Sequence, residues 1–315
     1  MNNTRNVSRE TICFTNNIDL EMNAFKWRKR NKGAFKMYKL VFFDIDGTLL
    51  TGRKRIPASA KKAIQDLKNK GIIPVIATGR APFRIDEILK GLDIQSHITL
   101  NGQYVVHDGE VIHQNPLSVD SVKRLAMAAE TNKQRIAFCG SDEILGTSMV
   151  TFGQKGLLKK MIQQVPIAPP KKVMQFVARH VGSSKRVKPI LPHYYENRII
   201  YQCIIHATEE YDAYYQEAFP DCHFTRWNPY SVDVISKGVS KAVGIQKLID
   251  YMGVELNETV AFGDGLNDIE MLQAVGMGIA MENGRVELKE IADYVTASPE
   301  NDGILKGLQK LDLIP

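Results

Sequence analysis

The feature that most constrains the fold is a series of short apolar runs, each of which ends at a group of polar residues. Such runs occur at Leu40–Phe43, Ile72–Ala77 and Thr259–Phe262, and helical patterns lie between them at Ala58–Lys70 and Ser240–Met252. Strands that are apolar throughout are buried on both faces, and intervening helices favour parallel pairing. The chain is therefore predicted to be an α/β protein with a doubly wound parallel sheet.

The same pattern continues along the chain. A helix is predicted after Pro82, a strand at His97–Leu100, and a hairpin that pairs Tyr104–Val106 with Val111–Ile112 across the Asp108-Gly109 turn. The C-terminal part adds strands at Val232–Ile235, Gly278–Met281 and Tyr294–Thr296, and helices at Asp268–Val275 and Val286–Ile291.

Residues from about Ser118 to Trp227 have a different composition and periodicity. They contain helical patterns at Val119–Glu130 and Glu209–Ala218, a Pro- and Lys-rich stretch at Gln164–Pro192, and strand patterns near Arg198–His206. We therefore predict a core formed by 37–117 and 228–315, interrupted by an inserted α+β domain at 118–227.

The basic character of the chain is concentrated in residues 1–36. This segment has eight Lys or Arg and three Asp or Glu, so it carries five of the six net positive charges. Without apolar periodicity it is predicted to be a disordered basic extension; an arm that binds nucleic acid or a membrane surface is the alternative. Met37 is a candidate natural start, so whether 1–36 belong to the natural protein is left open.

Composition indicates a cytoplasmic protein. The 315 residues, of which 44% are apolar, are enough to bury a full core. The four cysteines show no Cys-x-x-Cys spacing, so reduced thiols are expected and structural zinc is not. The apolar runs are far shorter than the ~20 residues of a membrane-spanning helix, so no membrane association is expected.

Two aspartates follow the first strand directly. Asp44 and Asp46 come after Leu40–Phe43 and precede Gly47 and Thr48. In a parallel sheet the ligand crevice lies beyond the carboxyl ends of the strands, so both carboxylates are expected to face one pocket and share a hard cation. Gly47 permits a tight turn that brings backbone N–H groups close to a phosphoryl oxygen. The alternative is an ordinary Asp-Gly turn.

A second acidic cluster follows the strand at Thr259–Phe262. Asp264, Asn267 and Asp268 lie in the segment Gly263-Asp264-Gly265-Leu266-Asn267-Asp268. Mg²⁺ prefers oxygen ligands and keeps several waters, so about two or three protein carboxylates are sufficient. Asp44 and Asp264 are predicted to supply them, and a helix cap is the alternative for Asn267 and Asp268.

Groups suited to a phosphate dianion occur at two other positions. Thr78-Gly79-Arg80 ends the run Ile72–Ala77, and Lys241 lies at the start of the helix Ser240–Met252. A hydroxyl, backbone N–H donors and a lysine near a helix start are what phosphate requires. Each segment alone is more commonly a turn or a solvated lysine. Their positions at the ends of separate strands favour phosphate binding.

Together these segments resemble the motifs of the haloacid dehalogenase (HAD) superfamily of phosphatases. The segments Asp44–Leu49, Asn101-Gly102, Val239-Ser240-Lys241 and Gly263–Asp268 are similar, in this order, to the Cof-type branch, whose large cap lies between the second and third motifs. The resemblance extends from Met37 to the C-terminus and is weak across the cap. Asp46 indicates a phosphatase, because dehalogenase members lack an acid at that position.

The resemblance implies a role for each of these residues. Asp44 would form an aspartyl-phosphate, while Asp46 would protonate the leaving alkoxide and then activate water. Mg²⁺ would be held by the Asp44 carboxylate, the Asp46 backbone carbonyl and Asp264, with Asp268 supporting this metal shell. Phosphoryl contacts would come from Thr78, Gly79, Lys241 and Asn267, and Arg80, Asn101 and Thr48 would face the substrate or brace the site.

The expected function is a Mg²⁺-dependent phosphatase with a Rossmann-like core, acting on a small phosphorylated metabolite such as a sugar phosphate or a phosphorylated cofactor. The cap would select the substrate. A sugar phosphomutase and a non-catalytic ligand-binding regulator are the alternatives that the sequence leaves open. No nucleic-acid partner is expected. The physiological substrate and the oligomeric state are left open.

Overall fold

A computed structural model describes residues 37–147 and 189–315. The expected basic extension at 1–36 and the Lys-rich part of the insert up to residue 188 lie outside this range. The chain divides into two compact units. The first contains residues 37–51, Ile56–Pro74 and Val254–Pro315, and the second contains Gly52–Arg55, 75–147 and 189–253.

Strands and helices alternate along much of the described chain. The strands are β1 (Leu40–Phe43), β2 (Ile73–Ala77), β3 (His97–Thr99), β4 (Tyr104–His107), β5 (Glu110–Gln114), β6 (Arg135–Cys139), β7 (Ile144–Gly146), β8 (Gln202–His206), β9 (Cys222–Asn228), β10 (Ser231–Ser236), β11 (Thr259–Gly263), β12 (Met277–Met281) and β13 (Tyr294–Thr296). The α-helices are α1 (Ala58–Asn69), α2 (Asp86–Leu92), α3 (Val119–Thr131), α4 (Asp212–Ala218), α5 (Lys241–Met252), α6 (Ile269–Ala274), α7 (Val286–Ile291) and α8 (Gly303–Lys310).

The larger sheet has eight strands in the order β13-β12-β11-β1-β2-β3-β4-β5. Pairing is parallel from β1 through β11 and β12 to β13, and between β2 and β3. The hairpin of β4 and β5 completes the edge in antiparallel pairing, with Asp108 and Gly109 at φ +47° and +83° in its turn. The predicted α/β fold with a mainly parallel sheet is confirmed.

The strand β1 is completely buried, which agrees with its lack of polar residues. Its four residues are all inaccessible to solvent, and the ring of Phe43 stacks on Phe262 of β11 with centroids 5.4 Å apart. Each fully buried side chain of this size contributes roughly 1.5–3 kcal/mol. The polar residues that follow β1 and β11 therefore begin where this packing ends.

The smaller sheet has five antiparallel strands in the order β7-β6-β8-β10-β9. One face packs against α3 and α4. The cluster on that face joins Leu125 and Ala129 of α3 to Phe138, Cys203 and Val234 of the sheet. The predicted α+β character of the insert is therefore confirmed for its described residues.

The expectation that Val232–Ile235 returns to the larger sheet is wrong. These residues lie in β10, which pairs with β8 and β9 of the smaller sheet. Val232 and Val234 join the buried cluster whereas Asp233 alternates with them, which is the pattern of a strand covered on one face. The expected domain boundary at residue 228 therefore falls inside a hairpin, and the smaller sheet extends to Ser236.

Four elements were not predicted: β6, β7, β9 and α8. None of the helices in the described part of the chain combines the length and the apolar character that a membrane-spanning helix needs.

His97 on β3 is a buried base without a hydrogen-bond partner. It is 9% exposed, and in the described part of the chain neither ring nitrogen has a partner. Burial lowers its pKa to about 4, although Asp86 opposes this shift. The side chain is therefore neutral in the folded protein at a pH where the unfolded chain, with an ordinary pKa of 6.5, begins to take up a proton.

We predict that His97 makes the fold less stable as pH falls from about 6.5 towards about 4, because only the unfolded chain binds the extra proton in this window. The expected loss is up to about 3 kcal/mol of unfolding free energy. Urea unfolding across this range should show a shallower pH dependence for His97→Leu than for the wild type. The exposed His193 provides the control, and His193→Leu should keep the wild-type slope. Equal slopes for all three proteins would contradict the prediction.

Candidate active site

Three carboxylates meet in the first unit. One oxygen each from Asp44, Asp264 and Asp268 lies within 4.8 Å of the other two. Asp44 is 6% exposed and Asp268 is fully buried. Negative charges this close repel strongly where water is excluded. The donor set, which is all oxygen and carries high negative charge, is what a hard divalent cation such as Mg²⁺ binds.

Asp268 shapes the loop that carries Asp264. Its Oδ2 accepts the backbone N–H of Asp264 at 2.9 Å and that of Gly265 at 2.8 Å. Two N–H donors to one buried carboxylate are strong, charge-assisted bonds. Asp268 therefore holds the loop after β11 in the conformation that directs Asp264 to Asp44.

Gly47 and Thr48 form the contact of the first loop with Asp264. Gly47 has φ +87°, and a Cβ at this position would lie 2.1 Å from Asp264 Oδ2. The buried hydroxyl of Thr48 donates to Asp264 Oδ1 at 3.1 Å. Only glycine allows this approach, so Gly47 is required by packing as well as by the turn.

Asp46 differs from Asp44, the other aspartate of the first loop, because its side chain is exposed. Among the described residues, the group of three carboxylates does not include it. The turn is closed by Leu49 N–H, which donates to Asp44 O, and by Leu50 N–H, which donates to Ile45 O. An exposed carboxyl group two residues from Asp44 suits proton exchange more than permanent metal ligation.

In the second unit, Thr78 and Gly79 lie against Asn101. Thr78 O accepts the Asn101 N–H at 3.1 Å, and a Cβ at Gly79 would lie 3.0 Å from Asn101 Oδ1. The Thr78 hydroxyl accepts the Arg80 N–H at 3.2 Å, and Arg80 O accepts the Leu100 N–H. The loops after β2 and β3 are thus joined by direct hydrogen bonds between backbone groups.

The turn at Gly102 packs on the start of α5. A Cβ at Gly102 would lie 2.0 Å from Ser240 O. Ser240 caps α5 by accepting the Val243 N–H, and Lys241 begins the helix with its side chain 1% exposed. The alternative of a solvated Lys241 is therefore wrong.

The predicted site residues fall into two groups. Asp44, Asp46, Thr48, Asp264, Asn267 and Asp268 belong to the first unit, with Asn267 exposed, and Thr78, Gly79, Arg80, Asn101 and Lys241 belong to the second. Within each unit the structure brings together residues that are distant in sequence.

Sequence reasoning missed Asn283. Its Nδ2 donates to Gly47 O at 2.9 Å, and the adjacent Gly284 comes close to Asp264. Glu282-Asn283-Gly284 directly follows the buried strand β12, so the rule that located Asp44 and Asp264 could also have found it.

Comparison with known proteins decides the family. The haloacid dehalogenase-like hydrolase family matches residues 41–308, most of the described chain. The chain belongs to this family. A putative phosphatase of Bacillus subtilis, YkrA, is 37% identical over 277 residues, which covers 88% of this chain and 98% of that protein. The predicted membership of the HAD superfamily is confirmed.

Two further similar proteins are phosphatases with a named substrate class. A solved subclass IIB sugar phosphatase, BT4131, is 31% identical with a TM-score of 0.68, covering 88% of this chain and all of that one. The 5-amino-6-(5-phospho-D-ribitylamino)uracil phosphatase YitU of Bacillus subtilis is 29% identical and covers 86% of this chain and 96% of that one. The prediction of a HAD-type phosphatase is confirmed.

We predict that Gly47→Ala disrupts the site by displacing Asp264. Gly109 is a matched control, because its φ of +83° is close to that of Gly47 but its Cβ would meet nothing within 4 Å. Both variants should lose about 1 kcal/mol through backbone strain. Only Gly47→Ala should also lose most phosphatase activity on p-nitrophenyl phosphate, measured after thermal melting has confirmed folding. Equal activity in the two variants would contradict the packing argument.

Proposed function

We propose that the chain is a Mg²⁺-dependent phosphatase that hydrolyses small phosphorylated metabolites through an aspartyl-phosphate at Asp44. The observation that carries the proposal is the group of three carboxylates in the loops after β1 and β11. Asp44 and Asp264, with the backbone carbonyl of Asp46, would hold the cation, and Asp268 would support them. When bound, Mg²⁺ would supply positive charge that offsets the charge of the phosphoryl oxygens.

The chemistry of the chain's own residues has two displacements. A carboxylate oxygen of Asp44 attacks phosphorus, the bond from phosphorus to the ester oxygen breaks, and Asp46 gives its proton to the leaving alkoxide. Asp46 then removes a proton from water, whose oxygen attacks the same phosphorus and releases inorganic phosphate from Asp44. The exposure of the Asp46 side chain supports this role, because the group must exchange protons with solvent and substrate.

The phosphoryl oxygens would be bound by Thr78, Gly79, Lys241 and Asn267. A dianion needs a cation and several donors, and phosphoryl transfer depends mainly on positioning and charge neutralisation. The buried Lys241, held at the capped start of α5, supports the role of a fixed positive charge. Arg80, Asn101 and Thr48 would brace these groups, since each has a contact with a neighbouring loop or residue of the site.

Two relatives support the proposed substrate class. One is described as a sugar phosphatase, and the other is named for a phosphorylated ribityl compound. Both descriptions refer to a phosphate ester on a small polyhydroxylated molecule. We propose such a metabolite as the partner of this chain, with the inserted domain selecting it, and a cytoplasmic site of action without nucleic acid or membrane binding.

The test is the release of inorganic phosphate from a panel of sugar phosphates and phosphorylated cofactors, with MgCl₂ or with EDTA. Activity should require Mg²⁺, and Asp44→Asn should lose roughly 10³-fold or more of kcat. Asp46→Asn should form the phospho-enzyme slowly and hydrolyse it more slowly still.

The control is Asp250→Asn, which changes an exposed acid of α5 and should keep wild-type rates. Release of phosphate by Asp44→Asn at the wild-type rate would overturn the mechanism. An isomerised sugar phosphate without free phosphate would show a mutase, and binding without turnover would show a regulator.

A further inference from the structure

Gln103 is a fully buried amide that lies directly after the Asn101-Gly102 turn. Its side chain uses both of its polar ends. Nε2 donates to Leu100 O at 3.2 Å, and Oε1 accepts the Ser236 N–H at 3.2 Å. Its backbone carbonyl accepts the Asn115 N–H at 2.8 Å. A buried amide with these partners is costly to replace, because each lost hydrogen bond leaves a buried polar group unsatisfied.

The partners of Gln103 mark both places where the chain passes between the two sheets. Asn115 lies just after β5, where the chain leaves for the smaller sheet, and Ser236 ends β10, where it returns. The outgoing and returning segments are also joined by a hydrogen bond, which Ser236 Oγ donates to Pro116 O at 3.2 Å. Gln103 is thus a common attachment point of the outgoing and returning chain.

The turn that Gln103 supports has an unfavourable backbone. Leu100, Asn101 and Gly102 have φ of +52°, +55° and +99°, respectively. Left-handed φ values are unfavourable for Leu100, whereas Asn101 adopts them more readily. Leu100 is held by packing against Ala81 and Tyr201 and by the two N–H donors of Gln103 to its carbonyl, from the backbone and from Nε2.

We propose that Gln103 is a positioning residue for phosphate binding. Gln103 holds the Leu100-Asn101-Gly102 turn in the conformation in which Asn101 packs against Gly79 and Gly102 packs against Ser240. Its hydrogen bonds with Asn115 and Ser236 link this turn to the two chain segments that connect the larger sheet to the smaller one. This inference rests on the proposed function, since Gly79 and Lys241 are phosphate ligands only in that account.

The consequence is a loss of phosphate affinity when the amide is removed. Without Nε2 the turn loses the hydrogen bond to Leu100 O. The contact of Asn101 with Gly79 and the packing of Gly102 against the start of α5 are therefore expected to loosen. Inorganic phosphate is the probe, because in the proposed function it binds the same groups as the transferring phosphoryl group and does not depend on the unknown leaving group or on turnover.

The experiment compares Gln103→Met with Gln134→Met. Gln134 is a matched control: it is 7% exposed, and its Oε1 accepts the hydroxyl of Tyr215 inside the inserted domain. Both variants lose a buried amide, so both should melt at a lower temperature. Calorimetric titration of the full chain with inorganic phosphate in MgCl₂ should show a Kd raised roughly tenfold for Gln103→Met, the effect of about one lost bond, and raised less than about twofold for Gln134→Met.

A second variant guards against misfolding of the first. Gln103→Glu keeps an acceptor for Ser236 N–H but removes the donor to Leu100 O, and it should also raise the Kd. Equal phosphate affinity in wild type, Gln103→Glu and any folded Gln103→Met would overturn the positioning role. Normal phosphate binding by a wild type without phosphatase activity would instead contradict the proposed function, so the two failures are distinguishable.

Discussion

The gathering of Asp44, Asp264 and Asp268 is the constraint on which the first unit depends. Like charges within a few ångströms of one another are unfavourable, and more so when two of the three side chains are almost or fully buried. The fold offsets part of this cost with the N–H groups of Asp264 and Gly265, which bind Asp268, and with the Thr48 hydroxyl, which binds Asp264. In the proposed function, a bound cation would offset the remainder.

In the second unit, close packing of neighbouring groups against glycine residues determines the local structure. Gly79 and Gly102 have no side chain because the Asn101 amide and the Ser240 carbonyl occupy the space that a Cβ would need. The loop that carries Asn101 and the start of the helix that carries Lys241 are thereby held by close packing. Such rigid support is what a phosphate site requires, since misplacement by about 1 Å can cost on the order of 100-fold in rate.

The sequence predicts the central strands β1, β2, β11 and β12 of the larger sheet well because their burial on both faces leaves a continuous apolar signature. The polar residues at their ends then identify Asp44, Thr78 and Asp264. The strands β7 and β9 were missed because partly covered strands carry a weaker and mixed pattern, whereas β6 was missed although four of its five residues are buried. The helix α8 was missed because it begins at Gly303, and glycine is more typical of loops than of helices. Glycine is required at this position because a Cβ would clash with Ala297 O.

The contacts that the supporting residues of the site make could not be predicted from local patterns. Asn283 contacts Gly47 across 236 positions of sequence, and Gln103 contacts Ser236 across 133. An isolated glutamine or asparagine has no periodicity, so only the tertiary structure shows what it supports. Thus sequence motifs located the reactive groups, whereas the structure was needed to find what holds them.

The most direct test of the carboxylate account is the change in melting temperature that MgCl₂ produces, compared with NaCl at equal ionic strength, in wild type and in Asp264→Asn. A cation that offsets the charges of Asp44, Asp264 and Asp268 should raise the melting temperature of the wild type as its concentration increases. Asp264→Asn should show little response to Mg²⁺, and it should melt higher than the wild type in EDTA because one repelling charge is gone. A wild type that responds equally to the two salts would contradict the account.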